Sequence, residues 1–309
     1  RIKAHPEYKM EKRLLLDKID FETGTVEIEG KAWPLRDTNF PTLNPENPYE
    51  LTAEEKEMLK ALEASFLNSE KLQRHIKFLY SHGALYTKIN GNLLYHGCIP
   101  TDENGEFEEV ELNGVKLAGK ALMDYLDDEV RKAYFAPNKS GEIGRSGDIM
   151  WYLWTGKCSS LFGKDDMTTY ERYFIEDKES HKENKNPYYS LREEEDILKK
   201  VFDEFELDFE SGHIINGHVP VKSKNGESPV KAGGKILVID GGFSRAYQGK
   251  TGIAGYTLIY NSQMMQLVSH EPFSSAEDCI LHENDILSTS IIVEKRDQRM
   301  FVRDTYDGK

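Results

Sequence analysis

Two short apolar runs far apart in the chain end in nearly the same way. Asn92-Leu93-Leu94-Tyr95 delivers His96-Gly97-Cys98-Ile99-Pro100, and Ile214-Ile215-Asn216 delivers Gly217-His218-Val219-Pro220. Runs this short, bounded by glycine and proline, read as buried strands rather than helices. A histidine just beyond such a strand is held rigidly, and an adjacent glycine lets backbone or ligand approach closely. Either histidine alone is more simply a hydrogen-bonded structural residue. Together they can converge on one sheet edge and offer two neutral imidazole nitrogens to a divalent cation. His213 points to the opposite face if the segment between is a regular strand, which makes it the weaker candidate.

The rest of the chain supports a mixed architecture. Residues 1–50 are strand-poor, with a strand candidate at Thr25–Ile28 and prolines at 34, 41, 45 and 48. They read as a connecting segment ahead of a second region, 51–309. Thr52 and Glu55 form a capping box that starts a helix. The stripe Met58, Leu59, Leu62, Phe66, Leu72, Ile76 and Leu79 reads as core, with Asn68-Ser69 able to split the run. Residues 114–135 predict a further helix. Asp148 to Trp154 is too apolar for solvent, 176–189 reads as an exposed loop, and Leu191 to Phe205 predicts a surface helix. From residue 213 onward β-rich runs alternate with glycine turns, the last at Met300–Val302. Helices first and strands last give an α/β or α+β fold.

Lys+Arg number 40 and Asp+Glu 54 in 309 residues, a formal charge of −14. That balance argues against broad attraction to nucleic acid or an anionic membrane surface. No stretch of about 18 apolar residues is present to span a bilayer. Cys98, Cys158 and Cys279 are widely spaced, which fits a reducing compartment and a cytoplasmic protein. The chain opens Arg1-Ile2-Lys3 with neither initiator Met nor secretory leader, and is expected to be a piece of a longer polypeptide.

Two loops suit oxyanions. Asp240-Gly241-Gly242 follows a strand and leads to Arg245 and Lys250, offering free N–H groups and cations to a phosphate. A structural turn is the alternative at equal weight. Trp154 to Lys164 carries Lys157 and Lys164, but Gly163-Lys164 is followed by Asp165, so the nucleotide P-loop pattern is absent. Phosphate contacts from the two lysines and a solvated loop remain open. Cys158 has no identifiable histidine partner, and the run Glu193 to Asp196 reads as solvated helix surface.

In this order the motifs Tyr95 to Pro100, Trp154 to Lys164, Gly217 to Lys222 and Asp240 to Ser244 through Tyr256 resemble the class 3 fructose-1,6-bisphosphatases of bacteria. These are a branch of the calcineurin-like metallophosphoesterases. The resemblance covers most of the chain and implies a β-sandwich flanked by helices, with strand-end ligands around two metal ions. His96 matches the family's His-Gly histidine and His218 its terminal Gly-His histidine, so both would ligate one ion of the pair, Mn being favoured. The implied substrate is fructose 1,6-bisphosphate, hydrolysed at the 1-phosphate in gluconeogenesis; Lys157, Lys164, Asp240, Gly241, Gly242 and Arg245 are the candidate substrate contacts. The family's Asp-x-His, Gly-Asp-x-x-Asp and Gly-Asn-His-Asp/Glu motifs do not occur here, and Gly147-Asp148 is followed by Trp151 where the second Asp belongs. The fold is therefore expected to be incomplete, with the general acid in a missing N-terminal part and the isolated chain inactive or nearly so. A homo-oligomer is compatible with this reading. A phosphoprotein phosphatase of the same superfamily and a non-catalytic anion-binding regulatory module are the alternatives.

Overall fold

The computed structural model describes residues 1–136, 145–283, 285 and 287–308. The chain is α/β and divides into two units, each built from discontinuous segments. One comprises 1–84 and 108–186, the other 85–107 and 187–309. Among the described residues no helix is long and apolar enough to cross a membrane.

In the first unit, Ile19–Asp20, Thr25–Ile28 and Lys31–Pro34 form an antiparallel meander. Alternation points Val26 and Trp33 inward, where they pack with Leu15 and Ile175. Residues 1–50, expected as a connecting segment, carry this meander, and its buried face is completed by Ile175 and Tyr170 from later in the chain.

The capping box forms as read: Glu55 N–H donates to the Thr52 hydroxyl at 3.2 Å and Thr52 N–H to the Glu55 carboxylate at 2.8 Å. The helix spans Ala53–Leu67, and Glu70–His82 follows after the break at Asn68-Ser69. Neither helix buries a residue, and Phe66 is 62% exposed. This corrects the core reading of the stripe: periodicity identifies an apolar face, and nothing in a periodicity supplies the surface that covers it.

Further along the same unit, Val115–Leu117 is a strand of a short hairpin and the helix begins at Gly119. Ile149, Tyr152 and Leu153 of the helix Arg145–Thr155 are buried, as their apolar character requires, although Trp154 faces solvent.

The second unit holds a five-stranded sheet in the order Tyr86–Ile89, Asn92–Tyr95, Ile214–Asn216, Ile236–Val238, Val230–Lys231. Its three central strands are parallel, with Leu93 paired to Ile214 and Ile236 to Ile214, so their carboxyl ends share one edge. Leu93, Ile214, Ile236 and Leu237 are almost wholly buried. Each contributes on the order of 1.5–3 kcal/mol. Parallel strands buried on both faces read as continuous apolar runs.

A second sheet, Gly255–Tyr260, Met264–His270 and Ser288–Lys295, is an antiparallel meander. Ile215 and Leu237 from the first sheet cluster with Met265 from the second, with Leu94, Leu258 and Val293 packed around them. The two sheets of this unit thus share one hydrophobic cluster. The run expected as a strand at Met300–Val302 is irregular and leads into a single 3-10 turn at Val302–Asp304.

Candidate active site

The carboxyl ends of parallel strands are where an α/β sheet presents side chains to ligands. Here they carry His96, His218 and Asp240. Gly217 N–H donates to the His96 carbonyl at 2.9 Å, Ile239 N–H to the Asn216 carbonyl at 2.9 Å, and Val221 N–H to the Asp240 carbonyl at 2.8 Å. These bonds tie the strand ends together past the last ladder pair.

The two imidazoles, separated by 122 positions in sequence, meet with His96 Nε2 and His218 Nδ1 3.0 Å apart. Their ring planes are inclined at 72°. Two nitrogens on one tetrahedral ion at 2.0–2.1 Å would stand about 3.3 Å apart, so the spacing suits either a shared cation or a direct hydrogen bond.

His218 has φ +67°, and Val219 N–H donates to the Gly217 carbonyl at 2.8 Å. That bond across a single residue of positive φ is a γ-turn of the rare, strained kind. A non-glycine residue kept there is paid for elsewhere in the fold, a pattern concentrated at functional sites.

Burial of the strand ends holds the His96 pKa below 6.5, partly offset by the Asp240 carboxylate. The ring is therefore neutral near pH 7, the form in which a nitrogen lone pair is free. Asp240 Oδ1 accepts the Gly242 N–H at 3.0 Å.

Asn216, which sequence reading passed over, is almost wholly buried at the end of the central strand. Its Nδ2 donates weakly to the Gly97 carbonyl at 3.4 Å, and its Oδ1 has no hydrogen-bond partner among the described residues. The signal was present, since an amide closing an all-apolar run needs a polar partner. His213 is a structural residue on the other side: it is buried, and its Nδ1–H donates to Asn92 Oδ1 at 3.0 Å.

The glycine loop is shaped by packing. A Cβ on Gly241 would lie 2.7 Å from Gly255 Cα, and Gly242 has φ +70°. Arg245 is exposed at the start of the short helix Arg245–Thr251.

Lys157 and Lys164 belong to the first unit. Lys164 donates to the Glu183 carboxylate at 2.8 Å, and Lys157 lies 3.9 Å from Asp165. Burial raises the Glu183 pKa, but the Lys164 ammonium and the Thr168 N–H and hydroxyl outweigh it and hold the carboxyl at about 2.

A depressed acid pKa stabilises the fold above the ordinary value of 4.5, and that stability is lost as pH falls from 4.5 toward 2. Glu183→Gln should accordingly melt several degrees below the parent at about pH 6, with the gap closing as pH falls toward about 3. Melting curves across that range check it; a constant gap would mean that the charge on Glu183 contributes nothing.

Among the described residues no group of three or more His, Cys, Asp or Glu side chains is arranged to hold a metal ion. His96 and His218 are brought together without a third such side chain arranged beside them among the described residues. The sequence profile of the family described as Firmicute fructose-1,6-bisphosphatase matches residues 1–309. The chain belongs to that family.

Proteins named fructose-1,6-bisphosphatase class 3 are similar to it throughout. The one from Clostridioides difficile strain 630 is 58% identical over 307 residues, covering 99% of this chain and 46% of that protein. Those from Clostridium acetobutylicum and Alkaliphilus metalliredigens are each 57% identical, covering 100% of this chain and 46% and 47% of theirs. The chain thus spans about half the length of the curated relatives it matches. No solved structure matches it.

Proposed function

We propose that this chain is part of a metal-dependent phosphatase that hydrolyses the 1-phosphate of fructose 1,6-bisphosphate, giving fructose 6-phosphate and phosphate. It would supply two of the metal ligands rather than a complete centre. The observation that carries the reading is the approach of His96 Nε2 and His218 Nδ1 to 3.0 Å at the carboxyl edge of a parallel sheet, in a chain of this family.

The donor set fits a divalent cation. Two imidazoles suit Mn, Fe, Co or Zn, His96 is held neutral by burial, and Asn216 Oδ1 is an unpaired acceptor two residues before His218. His96 and His218 would hold the ion, with Mn favoured by the family resemblance. When bound, such a cation supplies positive charge beside a phosphoryl group and the means to make water nucleophilic at neutral pH. The chain's own part is positioning. The γ-turn fixes the His218 ring, the Gly217–His96 backbone bond fixes the spacing, and the Asp240 carboxylate adds negative charge beside His96.

Two neutral ligands without a bridging carboxylate give weak metal binding and no template for a second ion. The reading places the remaining ligands and the general acid in the part of the family-length polypeptide that this chain does not cover, as part of a larger metallophosphoesterase-like sandwich in the cytoplasm. The isolated chain, supplied with Mn and fructose 1,6-bisphosphate, should release phosphate no faster than a metal-only control. Turnover at enzyme-like rates would show that the ligand set is complete here. In the family-length protein, sugar bisphosphates should be turned over in preference to a phosphopeptide, and the reverse order would overturn the substrate assignment.

A further inference from the structure

The helix Ala53–Leu67 runs for 15 residues and buries none of them. At 3.6 residues per turn, Met58, Leu59, Leu62 and Phe66 fall within about 100° of arc and form one apolar stripe. All four are 45–62% exposed. A helix of this length is marginal in water on its own and is normally held by packing such a face. Among the described residues nothing buries this one.

The following helix, Glu70–His82, likewise buries no residue and leaves Phe78 and Leu79 exposed. Yet both helices are fixed within their unit. The Thr42 hydroxyl donates to the Glu55 carboxylate at 2.7 Å at the start of the first, and Gln73 Nε2 donates to the Phe66 carbonyl at 3.0 Å across the break. At the far end Tyr80 stacks on Tyr134 of the helix Gly119–Phe135, ring centroids 4.4 Å apart. Arg131 of that helix donates to the Tyr80 and Gly83 carbonyls. The pair is tied down at both ends and bare along the stripe, which makes the stripe a formed surface. Contiguous exposed apolar surface of this kind marks an interaction site.

We propose that the Met58–Phe66 stripe is the docking face for the part of the family-length polypeptide that this chain does not cover. Two observations choose that occupant over a second copy. The match takes in 46% of the Clostridioides difficile relative, so just over half of that polypeptide lies outside it and is long enough to supply an apolar counterpart. Two copies of a chain with a formal charge of −14 repel each other. The interface rests on the exposed face and the relatives' length, and not on the phosphatase reading.

Hydrogen exchange of the isolated chain and of the family-length protein tests this. In the isolated chain the amides of residues 53–67 should exchange close to the unprotected rate. In the family-length protein they should slow by about a hundredfold or more. The double variant Leu62→Asp, Phe66→Asp should leave the melting temperature of the isolated chain unchanged, since both side chains already face water. In the family-length protein it should lower the melting temperature by several degrees and restore fast exchange, because two charges then enter a buried contact. If that variant does not fold at family length, the exchange of the two parent proteins decides alone.

Equally fast exchange of residues 53–67 in both parent proteins would overturn the proposal. So would protection already present in the isolated chain as a monomer, which would mean that the chain covers the stripe itself. Protection that disappears when the family-length protein is diluted to its monomer would give the face to a second copy instead. A family-length protein that protects the stripe and leaves fructose 1,6-bisphosphate intact would overturn the phosphatase reading while this interface stands.

Discussion

His218→Ala should abolish detectable Mn binding by the isolated chain and lower phosphatase turnover of the family-length protein on the order of a thousandfold. The magnitude follows from the several kcal/mol that a correctly held cation contributes to charge stabilisation, at tenfold in rate per 1.36 kcal/mol. His96→Ala should do the same if, as proposed, the two nitrogens 3.0 Å apart hold one ion.

Stability should move independently of binding. His218 holds φ +67° within a γ-turn, so His218→Gly relieves strain that His218→Ala retains. The glycine variant should be more stable than the alanine variant by about 1 kcal/mol while binding Mn equally poorly. Calorimetric Mn titration and urea unfolding of the parent and the three variants measure both quantities. Retention of Mn affinity in either alanine variant would place the metal elsewhere.

The parts of this structure legible in the sequence are those decided by neighbours along the chain. Thr52 and Glu55 cap a helix because both partners lie within one turn. Asn68-Ser69 breaks the helical run, and the runs at 92–95 and 214–216 are strands because they are short, apolar and stopped by glycine. That the two strands bring His96 and His218 together was legible only as a pairing of two similar endings, since neither histidine alone carries the signal.

What stayed hidden depends on partners distant in sequence. The stripe from Met58 to Phe66 shows an apolar face in sequence and an exposed one in structure. Lys164 looks like a free cation until Glu183, 19 residues on, is folded against it. The division into units follows the chain leaving one compact body at residue 84 and returning at 108, which no local composition marks. Arg192 stands before the acidic run Glu193 to Asp196, where a basic residue reads as a solvated partner of its neighbours, yet it is buried away from them.

The glycine loop after the fourth strand of the sheet separates packing from ligand contact, and three alanine substitutions resolve it. Gly241→Ala puts a Cβ 2.7 Å from Gly255 Cα and 2.7 Å from Ile253 Cδ1, and 3.2 Å from the Gly255 nitrogen. Backbone cannot swing aside as a side chain can, so the cost should reach the upper end of overpacking, about 3 kcal/mol. Gly242→Ala meets Tyr247 Cβ at 2.7 Å, an atom fixed to the backbone that no rotamer change moves, and adds the strain of φ +70°. Its cost should likewise be about 3 kcal/mol. Gly249→Ala meets nothing within 4 Å among the described residues and lies inside the helix Arg245–Thr251, so it should gain about 0.5–1 kcal/mol from helix propensity. Urea midpoints should therefore rank Gly249→Ala above the parent and Gly241→Ala far below it. If Gly241→Ala instead unfolds like the parent while phosphate binding disappears, the loop cradles the anion directly and its glycines serve the ligand rather than the close approach of residues 241 and 255.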